Sequence, residues 1–296
     1  MEKKRRLIVF CPTIIVIVLS TILCGCVGQT FPSYTQPERG KIYFVGVGPM
    51  GPDLCTLQAI KVIQEADVIY VNERRKLWFR EYLKNKDVRS DRLKAVYHPS
   101  GKSYTSFDKA SEWKEFRKRL RRWIREMAKE LDSEAKKGKS VAFLEGGDPC
   151  IYGAFYPLTR FLNEDDYIVI PGVSAFNAGN ALLKKEISKV DRRAYGSTII
   201  IHSPINENRF KGPTTRDLAK HQVTMVFFMA GGMMKSLVDD LSESYNEDTP
   251  IAVCYFIGDP KKEKVIIGKL KDIISKTSQE EETNLVLIYV GDFLKQ

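Results

Sequence analysis

The sequence has few of the residues that metal sites and disulfide frameworks require. Its 296 residues include three histidines, His98, His202 and His221, and none has a carboxylate partner at metal-ligand spacing. The six cysteines form no Cys-x-x-Cys pair. We therefore predict neither a zinc site nor a disulfide framework, and we interpret the histidines as structural.

The usual phosphate-binding loops are also missing. No glycine-rich turn ends in Gly-Lys-Ser or Gly-Lys-Thr, which excludes a P-loop. The turn Gly46-Val47-Gly48 superficially suggests a dinucleotide fingerprint, but Pro49 follows it and removes an amide that a phosphate needs. A Rossmann-type dinucleotide site is therefore a poor explanation of this turn.

The composition is that of a globular protein. Hydrophobic residues make up 43% and charged residues 28% of the chain, so disorder is not expected, and the length suits two domains. The formal net charge of +10 favours anionic partners without identifying them.

The first 26 residues have the pattern of a targeting segment. Four basic residues at positions 3–6 precede a mostly apolar run over residues 7–24, and Leu23-Cys24-Gly25-Cys26 resembles a lipobox. The favoured interpretation is a lipid-anchored, membrane-associated protein with Cys26 as the lipidation site. An uncleaved membrane anchor and a wrongly assigned start codon on a cytoplasmic enzyme remain alternatives, and residues 27–40 are predicted to be a tether.

From Lys41 onward the chain alternates strands and helices. A β-rich run over residues 42–47 ends in glycines, helical spacing follows from Asp53, and residues 67–71 form a second predicted strand. This βαβ order predicts an α/β fold with a mainly parallel first sheet. Further strands are predicted at 140–144, 168–170, 197–202, 223–229, 251–256 and 285–290, with helices at 175–183 and 235–241. We place an N-terminal α/β domain at 41–172 and a second α/β domain at 173–296.

Residues 113–131 are predicted to form a strongly basic amphipathic helix. Apolar side chains recur every three or four positions from Trp113 to Leu131, and lysines and arginines occupy the remaining faces. A core-packed helix with a solvated charged face is the favoured interpretation. Contact with a lipid surface is the better of the two functional alternatives, and nucleic acid is the other.

Three turns directly follow predicted strands, where open α/β sheets place ligands. They are Gly46–Pro52, Glu145-Gly146-Gly147-Asp148-Pro149 and Pro171-Gly172-Val173-Ser174. With Leu54, Thr56, Tyr152-Gly153 and the later strand ending in Phe228-Met229, their order resembles the tetrapyrrole (corrin/porphyrin) methylase family over residues 41–293. The sequence departs from the family at Met50-Gly51, where Gly-Asp is usual, and at Ala175, where a second serine is common.

The resemblance implies a two-domain fold with a ligand cleft between the domains. It also implies an enzyme, a methyltransferase that uses S-adenosylmethionine to methylate a tetrapyrrole ring carbon. The cofactor-binding residues carried over are Pro49, Gly147, Asp148, Ile151, Tyr152, Ser174, Phe228, Met229, Ala230 and Ala252. An exported, membrane-anchored protein that binds a tetrapyrrole or corrinoid without methyl transfer is the alternative.

Tetrapyrrole substrates carry acetate and propionate groups, so exposed arginines are candidate substrate ligands. The candidate substrate-binding arginines are Arg74, Arg75, Arg192 and Arg193. The resemblance further implies a homodimer and leaves catalytic residues unassigned. A different acceptor within the same superfamily, such as a translation-factor residue or a ribosomal RNA ribose, is a further alternative, but the predicted membrane anchor argues against RNA, so no nucleic-acid partner is expected. Cys55 and Cys150 occupy positions that the family fills with ordinary side chains, and they are predicted to be small buried hydrophobic residues.

Overall fold

The computed structural model describes residues 40–96, 110–188, 198–204, 211–280 and 283–295. The residues of the predicted targeting segment, including Cys26, lie outside these ranges, as do His98, Arg192 and Arg193. Contacts divide the chain after Gln36, and all described residues belong to the unit Pro37–Gln296. Its hydrophobic clusters are built from residues 42 to 294, so this unit has a complete core of its own.

The first sheet is parallel throughout, as the βαβ pattern predicts. Its strands are β1 (Ile42–Gly46), β2 (Val68–Tyr70), β3 (Asp87–Arg89), β4 (Val141–Glu145) and β5 (Tyr167–Ile170). They lie in the order β3-β2-β4-β1-β5. Every residue of the central strands β1 and β4 is buried, because helices cover both faces of the sheet.

Alternation along β1 separates the two layers of the first core. Tyr43 and Val45 pack on the face that also contains Ile63, whereas Ile42 and Phe44 pack on the opposite face. The helices of this half are α1 (Leu57–Glu65), α2 (Glu73–Trp78), α3 (Ala110–Lys136) and α4 (Tyr156–Thr159). The next helix, α5 (Ala175–Leu183), packs against the second sheet. The predicted basic helix is α3, which is longer than predicted and packs through Trp123, Met127 and Leu131.

The second sheet is mixed. Its strands are β6 (Ile199–His202), β7 (Thr224–Phe228), β8 (Pro250–Tyr255), β9 (Lys264–Lys269) and β10 (Val286–Val290). The order is β6-β7-β10-β8-β9, with β6 parallel to β7 and β10 antiparallel to both neighbours. The helices are α6 (Thr215–Ala219), α7 (Met234–Ser242) and α8 (Ile273–Thr277).

Short 3₁₀ helices complete the described structure. They span Pro52–Leu54, Asp91–Val96, Glu164–Asp166, Gly231–Met233 and Asp292–Lys295. The predicted domain boundary near Gly172 falls in the segment between the two sheets. No helix within the described ranges is long and apolar enough to cross a membrane.

Candidate active site

Backbone contacts join the three glycine-rich turns of the first half. The amide of Gly147 donates to the carbonyl of Gly48 at 2.7 Å. A Cβ added to Gly172 would lie 2.2 Å from the carbonyl oxygen of Gly147, and one added to Gly46 would lie 2.5 Å from the nitrogen of Gly172. The turns therefore approach so closely that only glycine fits at their junctions.

Side chains in the turns reinforce this junction. The carboxylate of Asp148 accepts one hydrogen bond from the amide of Cys150 at 2.8 Å and another from the amide of Gly172 at 3.1 Å. Thr56 caps α1 by accepting from the amide of Ala59, and its hydroxyl donates to the carbonyl of Pro171 at 3.4 Å. Asp148 thus holds two turns together, and its role in binding the cofactor stays a prediction.

The turns open onto a cleft formed by both halves of the chain. Its empty volume, including the open mouth, is about 740 Å³. The lining residues are Pro49, Met50, Arg75, Gly146, Gly147, Asp148, Ile151, Tyr152, Ser174, Ala175, Phe228, Met229, Ile257, Asn284, Leu285, Val286 and Leu287. Eight of the ten predicted cofactor-binding residues are in this set, although their binding role stays a prediction.

Two predicted cofactor-binding residues do not line the cleft. Ala230 and Ala252 have no exposed surface. Ala230 packs in the core beneath the second sheet, and Ala252, inside β8, packs against residues of the opposite face. Both alanines contribute to packing beneath the site rather than to its wall.

Strained backbone conformations mark the cleft wall. Tyr152 has φ 56° and Met229 has φ 58°, values that cost side-chain-bearing residues about 1–3 kcal/mol each. Gly147, at φ 75°, adopts the same region without that cost. The ring of Tyr152 lies 5.1 Å from that of Phe228, centroid to centroid, and this contact joins the walls from the two halves. Such strain is typical of functional sites, where the surrounding structure holds it.

The two neighbouring predicted arginines have different surroundings. Arg74 lies outside the cleft, with its guanidinium 5.4 Å from the ring of Trp78 and 5.9 Å from that of Phe256. Arg75 lines the cleft, and a Cβ on Gly146 would lie 1.8 Å from its Nη2 atom. Among the described residues its buried Nε has no hydrogen-bond partner. Arg75 is thus a cation with unused hydrogen-bonding capacity, and the substrate-binding role of both arginines stays a prediction.

A buried carboxyl group lies beside this arginine. Glu145 ends β4 and is 7% exposed, and its Oε1 has no hydrogen-bond partner among the described residues. Burial raises the pKa of this carboxyl, while the charge of Arg75 and backbone amides of Ala154 and Phe155 oppose the rise. Glu145 therefore binds its proton more tightly than a solvent-exposed glutamate does.

The cysteines of the turns are only partly as expected. Cys55 is half-buried, and burial raises the pKa of its thiol to about 11, so it is an inert side chain. Cys150 is exposed, so the prediction that it is buried is wrong. Cys150 lies in a surface turn directly after Asp148-Pro149. Its backbone amide, and not its side chain, contacts the carboxylate of Asp148.

Sequence reasoning missed a whole wall of the cleft. Residues 284–287 lie just before and at the start of β10, and the sequence predicted only a strand over 285–290 there. Because β10 runs antiparallel to β7 and β8, its first residues reach the edge where those strands end. No local signal in the sequence reveals that direction. Met50, Gly146, Ala175 and Ile257 were also missed, although the first three adjoin motif residues.

The chain belongs to the tetrapyrrole (corrin/porphyrin) methylases, because residues 41–274 match the sequence profile of that family. The class of activity that goes with this membership is methyl transfer.

It is 34% identical over 265 residues to the cobalt-precorrin-4 C(11)-methyltransferase of Methanocaldococcus jannaschii, covering 86% of this chain and 88% of that protein. It is 28% identical over 261 residues to the uroporphyrinogen-III C-methyltransferase of the same organism, covering 86% and 96%.

Solved structures show the same fold. The X-ray structure of a cobalt precorrin-4 methyltransferase superposes with a TM-score of 0.66 at 24% identity, covering 86% of this chain and 96% of that one. The uroporphyrin-III C-methyltransferase of Thermus thermophilus in complex with S-adenosylhomocysteine gives a TM-score of 0.61 at 20% identity. The predicted two-part α/β architecture is confirmed.

Proposed function

We propose that this protein is an S-adenosylmethionine-dependent C-methyltransferase that methylates C11 of a precorrin-4-type tetrapyrrole. The observation that carries the proposal is the cleft itself, where the glycine-rich turns of the first sheet meet an apolar wall from the second. The relatives named for C11 methylation of precorrin-4 support the choice of ring carbon. The superposed structure with S-adenosylhomocysteine supports the choice of donor.

The chemistry asks the protein for alignment more than for acid or base groups. The donor supplies an electrophilic methyl group on a sulfonium, which the electron pair of the ring carbon attacks in line as the carbon–sulfur bond breaks. Holding the two reactants in that geometry lowers the barrier by up to about 7–11 kcal/mol. The backbone at Gly147 lets a ligand approach closely, and Ile151, Phe228 and Leu287 supply apolar walls on which the donor can be aligned.

Arg75 is the group in this cleft best suited to orient the acceptor. A tetrapyrrole presents several carboxylates, and a guanidinium binds them through paired, charge-assisted hydrogen bonds. Arg75 lines the cleft with its Nη2 against the backbone of Gly146, and its buried Nε has no hydrogen-bond partner among the described residues.

The first experiment measures methyl transfer from S-adenosylmethionine to cobalt-precorrin-4, precorrin-4 and uroporphyrinogen III, together with calorimetric titration by S-adenosylhomocysteine. We expect micromolar binding of S-adenosylhomocysteine and methylation of the precorrin-4 substrates at C11. Methylation of uroporphyrinogen III alone would overturn the assignment of the carbon. If folded protein bound the tetrapyrrole but not S-adenosylhomocysteine, the chain would be a tetrapyrrole-binding protein without methyl transfer.

A pair of neighbouring variants tests the role of Arg75. We expect Arg75→Gln to raise KM for the tetrapyrrole by roughly 10- to 100-fold, since a hydrogen bond to a charged group contributes about 1.5–3 kcal/mol. The affinity for S-adenosylhomocysteine should not change. Arg74→Gln removes the same charge one residue away, outside the cleft, and should leave both values as they are. Equal effects of the two variants on KM would show that general charge, not a contact of Arg75, steers the substrate.

A further inference from the structure

Helix α3 carries an exposed cationic face that the proposed activity does not use. The exposed basic residues between positions 114 and 129 are Lys114, Arg117, Lys118, Arg121, Arg122, Arg125 and Lys129. At 3.6 residues per turn they share an arc of about 140°, opposite the side that buries Phe116, Trp123 and Met127. Along the helix axis the seven residues span roughly 22 Å. We call these seven residues the basic face.

The basic face is not neutralised by the rest of the described structure. The ion pairs between described residues include none of its seven members. The C-terminal part of the same helix is different: Glu130 pairs with Arg89 and Arg92, and Glu134 pairs with Arg89, Lys137 and Lys139. The charges at the C-terminal end of α3 are therefore balanced by ion pairs, whereas those of the basic face are not.

The start of the folded unit lies beside this helix. A Cβ on Gly40 would be 3.5 Å from the carbonyl oxygen of Ala135 and 3.7 Å from the Cα of Gly138, at the C-terminal end of α3. The folded unit therefore begins beside α3, the helix that carries the basic face.

We propose that the basic face is a docking surface for anionic phospholipid headgroups, which lays α3 along a membrane. Each lysine or arginine near an anionic lipid surface strengthens binding about fivefold. The apolar side of α3 is buried in the protein core, so the attachment is electrostatic and sensitive to salt. The arc contains no aromatic side chain on which a base could stack, which favours lipid over single-stranded nucleic acid.

The test is cosedimentation of residues 37–296 with vesicles, because this unit has its own core and omits the apolar run. Vesicles of phosphatidylcholine alone are compared with vesicles that also contain phosphatidylglycerol. We expect binding to the anionic vesicles only, and its loss at high salt. The triple variant Arg121→Gln, Arg122→Gln, Arg125→Gln should bind about 100-fold more weakly, and glutamine keeps the helix intact.

The control variant Lys61→Gln, Lys84→Gln, Lys235→Gln loses the same charge from exposed sites elsewhere and should bind like the parent. Circular dichroism melting checks that both triples are folded. Absence of binding to phosphatidylglycerol vesicles, or equal weakening by the two triples, would overturn the proposal. So would tighter binding to a single-stranded RNA than to the vesicles at equal salt, if the α3 triple abolished it.

Discussion

Replacing Gly172 by alanine tests whether the junction of the three turns holds the cleft in shape. The added Cβ would lie 2.2 Å from the carbonyl oxygen of Gly147 and within 2.8 Å of the C and Cα atoms of Gly46. These are backbone atoms in the turns after β1 and β4, so no side-chain rotation relieves the overlap. The turns themselves must separate.

Overpacking of a well-packed interior costs about 1–3 kcal/mol. Because all the overlaps involve backbone, we expect the upper part of that range, about 2–3 kcal/mol. For a protein of this size each kcal/mol lowers Tm by roughly 2–4 °C, so the melting temperature should fall by about 4–12 °C. Affinity for S-adenosylhomocysteine should also fall, since Gly147 lines the cleft and is displaced.

Thermal denaturation and calorimetric titration measure the two effects. Gly212→Ala is the matched control, because a Cβ at that position meets nothing within 4 Å. It should change stability by no more than about 0.5 kcal/mol. The reasoning is refuted if Gly172→Ala melts within error of the parent and binds S-adenosylhomocysteine equally well.

Three further substitutions give measurable outcomes. In Asp148→Asn, an NH2 donor replaces one of the two carboxylate oxygens that accept hydrogen bonds from backbone amides. We expect the free energy of unfolding, measured by thermal melting, to fall by about 1–3 kcal/mol; unchanged stability would contradict the cross-linking role. Tyr289→Phe removes the hydrogen bond that the hydroxyl donates to the carbonyl of Phe176 at 3.0 Å, with an expected loss of about 1 kcal/mol by the same method, and an unchanged melting temperature would contradict it. Glu145→Gln should cost most at acidic pH. The folded-state pKa of Glu145 is raised, so the parent protein loses stability as the pH rises through that pKa. The difference in unfolding free energy between parent and variant should therefore narrow as the pH rises. A difference independent of pH would argue against a raised pKa.

The fold was accessible from the sequence where hydrophobic pattern and turn chemistry agree. The buried runs of β1 and β4, each followed by glycine, predict a parallel core sheet, and α5 begins and ends where its pattern predicts. Strands β3 and β9 were missed. β3 has three residues and little apolar character, and β9 is a lysine-flanked edge strand that contains Gly268. Edge strands bury little, so their sequences carry little periodicity.

The site was accessible only in part, for a physical reason. Motif residues mark places where the backbone needs glycine or a capping side chain, and these are local requirements that a sequence displays. The wall at 284–287 depends on the direction of β10, which is set by long-range pairing with β7 and β8. Arg74 and Arg75 are adjacent and chemically identical, so only the packing of α2 decides which one enters the cleft.

The division of labour among these residues bears on how substrate choice is encoded. Asp148, Thr56 and the motif glycines use their geometry to hold the turns together, and the cleft wall beyond them is mostly apolar. A methyl transfer that needs alignment rather than acid–base groups is compatible with such a site, because a rigid backbone positions the donor. Recognition of the acceptor then depends on groups outside the motifs that offer unused charge. Arg75 is such a group, so variation at this position should change which tetrapyrrole is bound before it changes how the donor is held.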